Sequence, residues 1–337
     1  MIKEMIAKLV VGEDLTPSES TSVMQEIMGG EATPAQIAAF LVALRLKGET
    51  SDEIAAFAGV MREKATRINA PKGIVLDTCG TGGDQSHTFN ISTAAALVVA
   101  GAGVCVAKHG NRSVSSSSGS ADVLEKLGVN INAGVPTVER CMREANIGFL
   151  FAPLLHGAMK HAIGPRREMG IRTVFNVLGP LTNPAGASHQ LLGVFDRNLT
   201  ETIAKALMEL GSSHVMIVAG LDGMDEITTS AKTQITEVKD GQLQTFEFDP
   251  KSLDLAPAKR EDLVIESPDE GAAIIENILS GEKGPSRDIV LVNAAAGIAA
   301  ADGAKDLAAG LVLAAESVDS GAARRSLDTL IRVSNEN

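Results

Sequence analysis

From residue 71 onward short apolar runs alternate with helical stretches, and no other feature narrows the fold of this chain as much. Runs at 74–76, 104–107, 149–152, 191–195 and 215–219 have the length and composition of strands. Helical spacing fills the intervals at 92–100, 121–127, 137–145 and 199–210. Strands separated by helices do not pair as hairpins; each crossover brings the chain back to a parallel neighbour. The pattern predicts an α/β domain around a mostly parallel central sheet. One stretch departs from it. Residues 237–248 alternate polar and apolar side chains around Asp240-Gly241, the mark of a hairpin. Helical patterns then resume at Ser267-Pro268-Asp269-Glu270, which has the form of a capping box.

The first seventy residues have another texture. Ile2, Met5, Ile6, Leu9 and Val10 follow helical spacing. Hydroxyl residues then recur at Thr16, Thr33 and Thr50, followed three positions on by Glu19, Gln36 and Glu53. Each is a capping box, in which two orphan backbone donors are satisfied reciprocally. Pro17 and Pro34 stand at first helical positions, and Gly29-Gly30 and Gly48 end the intervening helices. The expected organisation is a small helical domain, residues 1–70, joined by helices near 160–185, beside an α/β domain over 71–337. No Pro/Ser-rich linker divides them, so the two units are expected to be built together.

Composition removes several functions. The 337 residues carry 30 Lys and Arg against 42 Asp and Glu, a net charge of -12. Such a chain lacks the basic surface that drives nucleic-acid or anionic-membrane binding. Nine Phe with no Trp or Tyr leave few platforms for base stacking. Cys79, Cys105 and Cys141 form no CxxC and no zinc spacing, which predicts buried free thiols in a reducing compartment. The N-terminal stretch has no signal-peptide core, and the longest apolar run is too short for a bilayer. A cytoplasmic protein is expected.

Five stretches carry candidate chemistry. Gly80-Thr81-Gly82-Gly83-Asp84 follows a predicted strand; its glycines let a ligand approach the backbone, although a tight turn would look the same. It fits neither GxxxxGK[ST] nor GxGxxG, since Gln85 takes the last glycine position. Asn90-Ile91-Ser92-Thr93 opens a helix and suits an anion, or is an ordinary cap. Lys108, His109, Gly110, Asn111 and Arg112 lead into Ser113, Val114 and a serine run that includes Ser115, Ser116 and Ser120. Cations and hydroxyls at the carboxyl end of a parallel strand form an anion cradle better than a plain loop. Lys160, His161, Arg166, Arg167 and Arg172 flank Gly164-Pro165, where a bend is expected, and a loop-like run over 175–184 follows. Asp222-Gly223-Met224-Asp225-Glu226 offers oxygen ligands to a hard cation, or is a polar turn.

Taken together, GTGGD at 80–84, NIST at 90–93, KHGNRSVSSSSGSADVLEKLG at 108–128, GPRREMGIRTVFNVLGPLTNPA at 164–185 and DGMDE at 222–226 resemble the anthranilate phosphoribosyltransferase family. Gln85, His87 and Gly157 depart from its pattern. The resemblance implies transfer of the phosphoribosyl group of phosphoribosyl pyrophosphate to the amino group of anthranilate. It implies a donor site lined by Gly80, Gly83, Asp84, Thr88, Asn90, Ile91, Ser92, Thr93, Lys108, His109, Gly110, Asn111, Arg112, Ser113, Val114, Ser115, Ser116 and Ser120. Gly80, Asn111 and Arg166 would contact anthranilate, and Ser92, Asp225 and Glu226 would hold Mg2+. The family fold is a helical domain beside an α/β domain of the nucleoside phosphorylase/phosphoribosyltransferase kind, usually a homodimer. No catalytic triad is needed, because an aryl amine is already neutral at pH 7. His109 is a candidate proton carrier or a packing residue. A nucleoside phosphorylase is the nearest rival; a nucleic-acid binder derived from the family is opposed by the charge.

Overall fold

Short, continuous runs of buried residues build a single sheet whose parallel strands are covered on both faces. The computed structural model describes residues 1–113 and 119–336. Its strands are β1 (Val75–Gly80), β2 (Cys105–Gly110), β3 (Ile147–Phe151), β4 (His189–Gly193), β5 (His214–Gly220), β6 (Thr233–Lys239) and β7 (Gln242–Phe248). Their spatial order is β3-β2-β1-β4-β5-β6-β7. The first five run parallel, and β6 and β7 extend the edge as an antiparallel hairpin. The period of two decides which side each residue serves. On β4 and β5, Leu191, Met216 and Val218 join one core, whereas Leu192, Val215 and Ile217 join the other.

The first core is closed by α5 (Ile91–Gly101) and the helices Pro285–Ala300 and Ala322–Asn335. The second takes side chains from α1 (Ile2–Val10), α2 (Pro17–Gly29), α3 (Pro34–Lys47) and α4 (Ser51–Lys64), and from the helix Thr200–Glu209. The N-terminal helices and the sheet thus share apolar contacts. Arg62 adds polar ones, with Nε donating to the Leu181 carbonyl at 2.7 Å and Nη1 to that of Leu210 at 3.2 Å. No described helix is long and apolar enough to cross a membrane.

All three N-terminal capping boxes form as the spacing predicts. At 267–270 the box is only half made. Ser267 Oγ accepts from Glu270 N, but the Glu270 carboxylate takes the Glu266 N–H instead. Other expectations also need correction. β1 runs on through Asp77 to Gly80, since β4 pairs with it over that whole stretch. The hairpin starts at Thr233, because the whole of β6 pairs along β5. Gly164-Pro165 does not bend the chain out of a helix. It lies inside Lys160–Met169, where the missing Cβ of Gly164 removes the clash a larger residue would make with the proline ring. The 175–184 run is not a plain loop: it holds the short turns Phe175–Leu178 and Gly179–Leu181. Cys141 is buried, whereas Cys79 and Cys105 are half-buried; all three thiols are free.

Candidate active site

Strand order reverses between β1 and β4. From β1 the chain winds one way to β2 and β3, and from β4 the other way to β5. In an open parallel sheet such a switch point leaves a crevice at the carboxyl ends of the two strands. Gly80 and Gly193 are register partners there. The 222–226 loop leans on both. A Cβ on Gly80 would strike the Asp225 carboxylate, and one on Gly193 the Asp225 main chain. Asp225 therefore reaches the crevice only because both strands end in glycine.

The turn after β1 is held by its neighbours. Gly82 and Gly83 have φ of 65° and 74°, the left-handed region glycine tolerates. Gly82 N donates to Asp225 Oδ2 at 2.8 Å, and Thr81 N to the Gly193 carbonyl at 2.9 Å. Asp84 Oδ1 accepts from Ser86 N, and Thr88 bridges to Val264. Beyond the turn, Asn90 Oδ1 caps α5 by accepting from Thr93 N at 3.0 Å and from Ser92 Oγ at 3.3 Å, and Ile91 is buried beneath it. The positive end of α5 is thereby brought to the glycine turn.

Lys108 enters from β2 and is fully buried. Its Nζ donates to the Thr78 carbonyl at 2.7 Å and to Ser92 Oγ at 3.2 Å. Burial lowers its pKa, and Asp77 and Glu226 pull the other way. Asp77 is fully buried on β1, where Oδ1 accepts from His109 N at 3.1 Å and Oδ2 has no partner among the described residues. Burial pushes this acid up to about 6.

Asp225 and Glu226 are half-buried side by side. Burial, then the neighbouring Asp84 carboxylate, pushes Asp225 up to about 7. Burial and Asp225 likewise raise Glu226 well above its usual value. Negative charge is concentrated here with Lys108 as the cation that offsets it. Among the described residues no three His, Cys, Asp or Glu side chains are set to enclose a metal ion. Two carboxylates and the Ser92 hydroxyl form a partial oxygen set. Mg2+ takes such a set when water and phosphate complete its shell, so the residues fit that ion.

The remaining expected residues divide. Gly110 ends β2 and Asn111 follows it, and Ser120 Oγ donates to the Asn111 carbonyl at 3.3 Å. Arg112 is turned to an exposed ion pair with Asp122 and Glu125 at 2.9 Å each, and Ser113 N donates to Asp122. Val114, Ser115 and Ser116 lie outside the described residues. The Arg166 guanidinium is 5.1 Å from the centre of the Phe175 ring and makes no ion pair among the described residues. His109 Nε2 is 3.1 Å from His156 Nε2 in a buried contact between the two rings. One ring donates and the other accepts, as two neutral imidazoles can. Burial, reinforced by His156, drives His109 down to about 3, so both imidazoles are neutral at pH 7.

Known proteins arrange the same elements. Residues 3–65 match the helical bundle domain, and residues 72–324 the a/b domain, of a glycosyl transferase family. The anthranilate phosphoribosyltransferase of Geotalea uraniireducens is 55% identical, with 100% of each chain covered. The chain belongs to the anthranilate phosphoribosyltransferase family. The crystal structure of the Thermus thermophilus anthranilate phosphoribosyltransferase is 42% identical with a TM-score of 0.93, covering 98% of this chain and 99% of that one. The Saccharomyces cerevisiae anthranilate phosphoribosyltransferase in complex with PRPP and Mg is 30% identical with a TM-score of 0.90, covering 99% and 97%. In this member of the anthranilate phosphoribosyltransferase family, several residues around the site carry no mark in the sequence. Asn293, fully buried on Pro285–Ala300, brackets Ile227 with two 2.9 Å bonds and so fixes the loop of Asp225 and Glu226. His156 and Asp77 are likewise seen only as neighbours of better motifs, because their partners are distant in sequence.

Proposed function

We propose that this chain transfers the phosphoribosyl group of phosphoribosyl pyrophosphate to the amino group of anthranilate, giving N-(5-phosphoribosyl)anthranilate and pyrophosphate in tryptophan biosynthesis. One observation carries the reading: a glycine turn, a helix N-terminus, a buried lysine and an acidic pair meet at the switch point of the sheet. Diphosphate departs when its developing charge is neutralised, and the ribose carbon then gains oxocarbenium-like character. Backbone amides of the turn and α5 receive the anionic donor, with Lys108 supplying positive charge. Ser92, Asp225 and Glu226 would hold Mg2+, which contributes charge neutralisation when bound. Gly80, Asn111 and Arg166 are assigned to anthranilate, the planar fork of Arg166 suiting a carboxylate. Positioning and electrostatics supply the acceleration, since the attacking aryl amine needs no strong base.

The reading extends to a homodimer in the cytoplasm, with a helical unit over 1–70 docked through 160–185 on the α/β unit. The test follows the decay of anthranilate fluorescence on adding phosphoribosyl pyrophosphate, with Mg2+ and with chelator. Decay that needs both the donor and the divalent ion is expected. No decay with either, alongside phosphorolysis of a pyrimidine nucleoside, would replace the assignment with the rival one.

A further inference from the structure

We propose that Arg172 is a positioning residue of the donor site, clamping the glycine-rich turn in the form that receives a diphosphate; the inference rests on the donor reading of that turn. Four of the six residues at 82–87 have left-handed backbone: Gly82, Gly83, Gln85 at 57° and His87 at 56°. Two of these carry side chains, for which the region costs about 1 kcal/mol or more each. Such a loop keeps one shape only if outside groups hold it. Asp225 holds the Gly82 amide, Arg260 holds the Gln85 carbonyl at 2.7 Å, and Ile265 N donates to the His87 carbonyl at 3.0 Å. The Gly83 carbonyl is taken by Arg172 Nη2.

The manner of that contact sets Arg172 apart from an ordinary surface cation. Its guanidinium lies over the Phe195 ring, 3.9 Å from the centroid. Phe195 N in turn donates to Thr81 Oγ1 at 3.3 Å, so the platform under the cation is tied to the same turn. A Cβ at Gly83 would run into the guanidinium, so the clamp and the glycine require each other. Arg172 forms no ion pair among the described residues, although acids outnumber bases by 42 to 30. A planar cation can stack and donate in its plane at once, whereas a lysine ammonium cannot. Arg172 also lies six residues beyond Arg166, so one segment carries the candidate acceptor contact and fixes the donor turn.

The full-length protein and the variants Arg172→Ala, Arg172→Lys and Phe195→Leu decide it, through the KM of each substrate and amide hydrogen exchange at 80–87 without ligand. Arg172→Ala is expected to raise the phosphoribosyl pyrophosphate KM about tenfold or more, with the anthranilate KM changed less than about twofold. Exchange at the turn should quicken, Arg172→Lys should not restore either value, and Phe195→Leu should fall between. An unchanged donor KM, equal rises in both KM values, or full rescue by lysine would overturn the proposal. If Arg172→Ala does not fold, Phe195→Leu bears the same comparison with the charge kept. Exchange needs no substrate, so a wild-type protein that fails to consume anthranilate would sink the donor reading while the clamp is still judged on its own.

Discussion

At the scale of single residues, the site depends on what is missing as much as on what is present. Gly80 leaves room for the Asp225 carboxylate, so Gly80→Ala should displace it and cut kcat by about tenfold or more, with a melting temperature within a few degrees of wild type. Loss of the fold together with activity would count against this. Arg166, resting on Phe175 and without an ion pair among the described residues, makes a different prediction: Arg166→Ala should raise the anthranilate KM more than that of the donor. Equal rises would point to a structural role. The His109–His156 pair governs an acid limb. Both are held neutral in the fold, at about 3 and about 4, while the unfolded chain takes up protons near 6.5. More protons on the unfolded state mean that stability falls as pH drops from 6.5 toward 4. Asp77, raised to about 6, works in the opposite sense as pH rises from 3.8 to 6 and softens the slope. His156→Asn should flatten urea midpoints measured between pH 4.5 and 7; an unaltered slope would reject the assignment.

Among the elements, the three capping boxes look alike in sequence but are unequal in the fold. The Thr33–Gln36 box is exposed and joins only its own helix end. Glu53 of the third box is fully buried. Its carboxylate accepts from Leu15 N at 2.9 Å, Thr50 N at 2.9 Å and Lys47 Nζ at 2.8 Å, so it ties α4 to the chain before α2 and to the end of α3. Thr33→Ala should cost about 1 kcal/mol, the usual worth of a cap. Glu53→Ala leaves two amides without their acceptor and Lys47 with only Asp14, and should cost about 2 kcal/mol or more. Denaturant unfolding of the two variants side by side measures the gap, and equal losses would mean that burial adds nothing to this cap.

For the whole molecule, the decisive fact is that the N-terminal helices and the sheet share a core. Phe40, Phe57 and Leu44 belong to the same apolar cluster as Leu192, Leu207 and Ile217. Calorimetry should therefore record one cooperative transition, and Leu207→Ala should lower it as a unit, by about 2–5 kcal/mol. Two separable transitions would show that the helical unit stands alone.

The alternation of apolar runs and helices, the caps and the glycine turns are local, set by backbone preferences within a few residues, and they were legible in the chain itself. Lys108, Asn90, Asp225 and Glu226 could be singled out as candidates in the same way, because polar and charged types stand out beside apolar strands and at a helix start. What no stretch could reveal is proximity across the sheet. Asp77 beneath His109, Asn293 behind Glu226, His156 against His109 and Arg172 on Gly83 are separated by between 32 and 89 positions. Their contacts exist because strand order reverses between β1 and β4 and folds distant loops onto one edge. Local propensity wrote the elements, and the packing of apolar clusters on the two faces of one twisted sheet chose which side chains would meet.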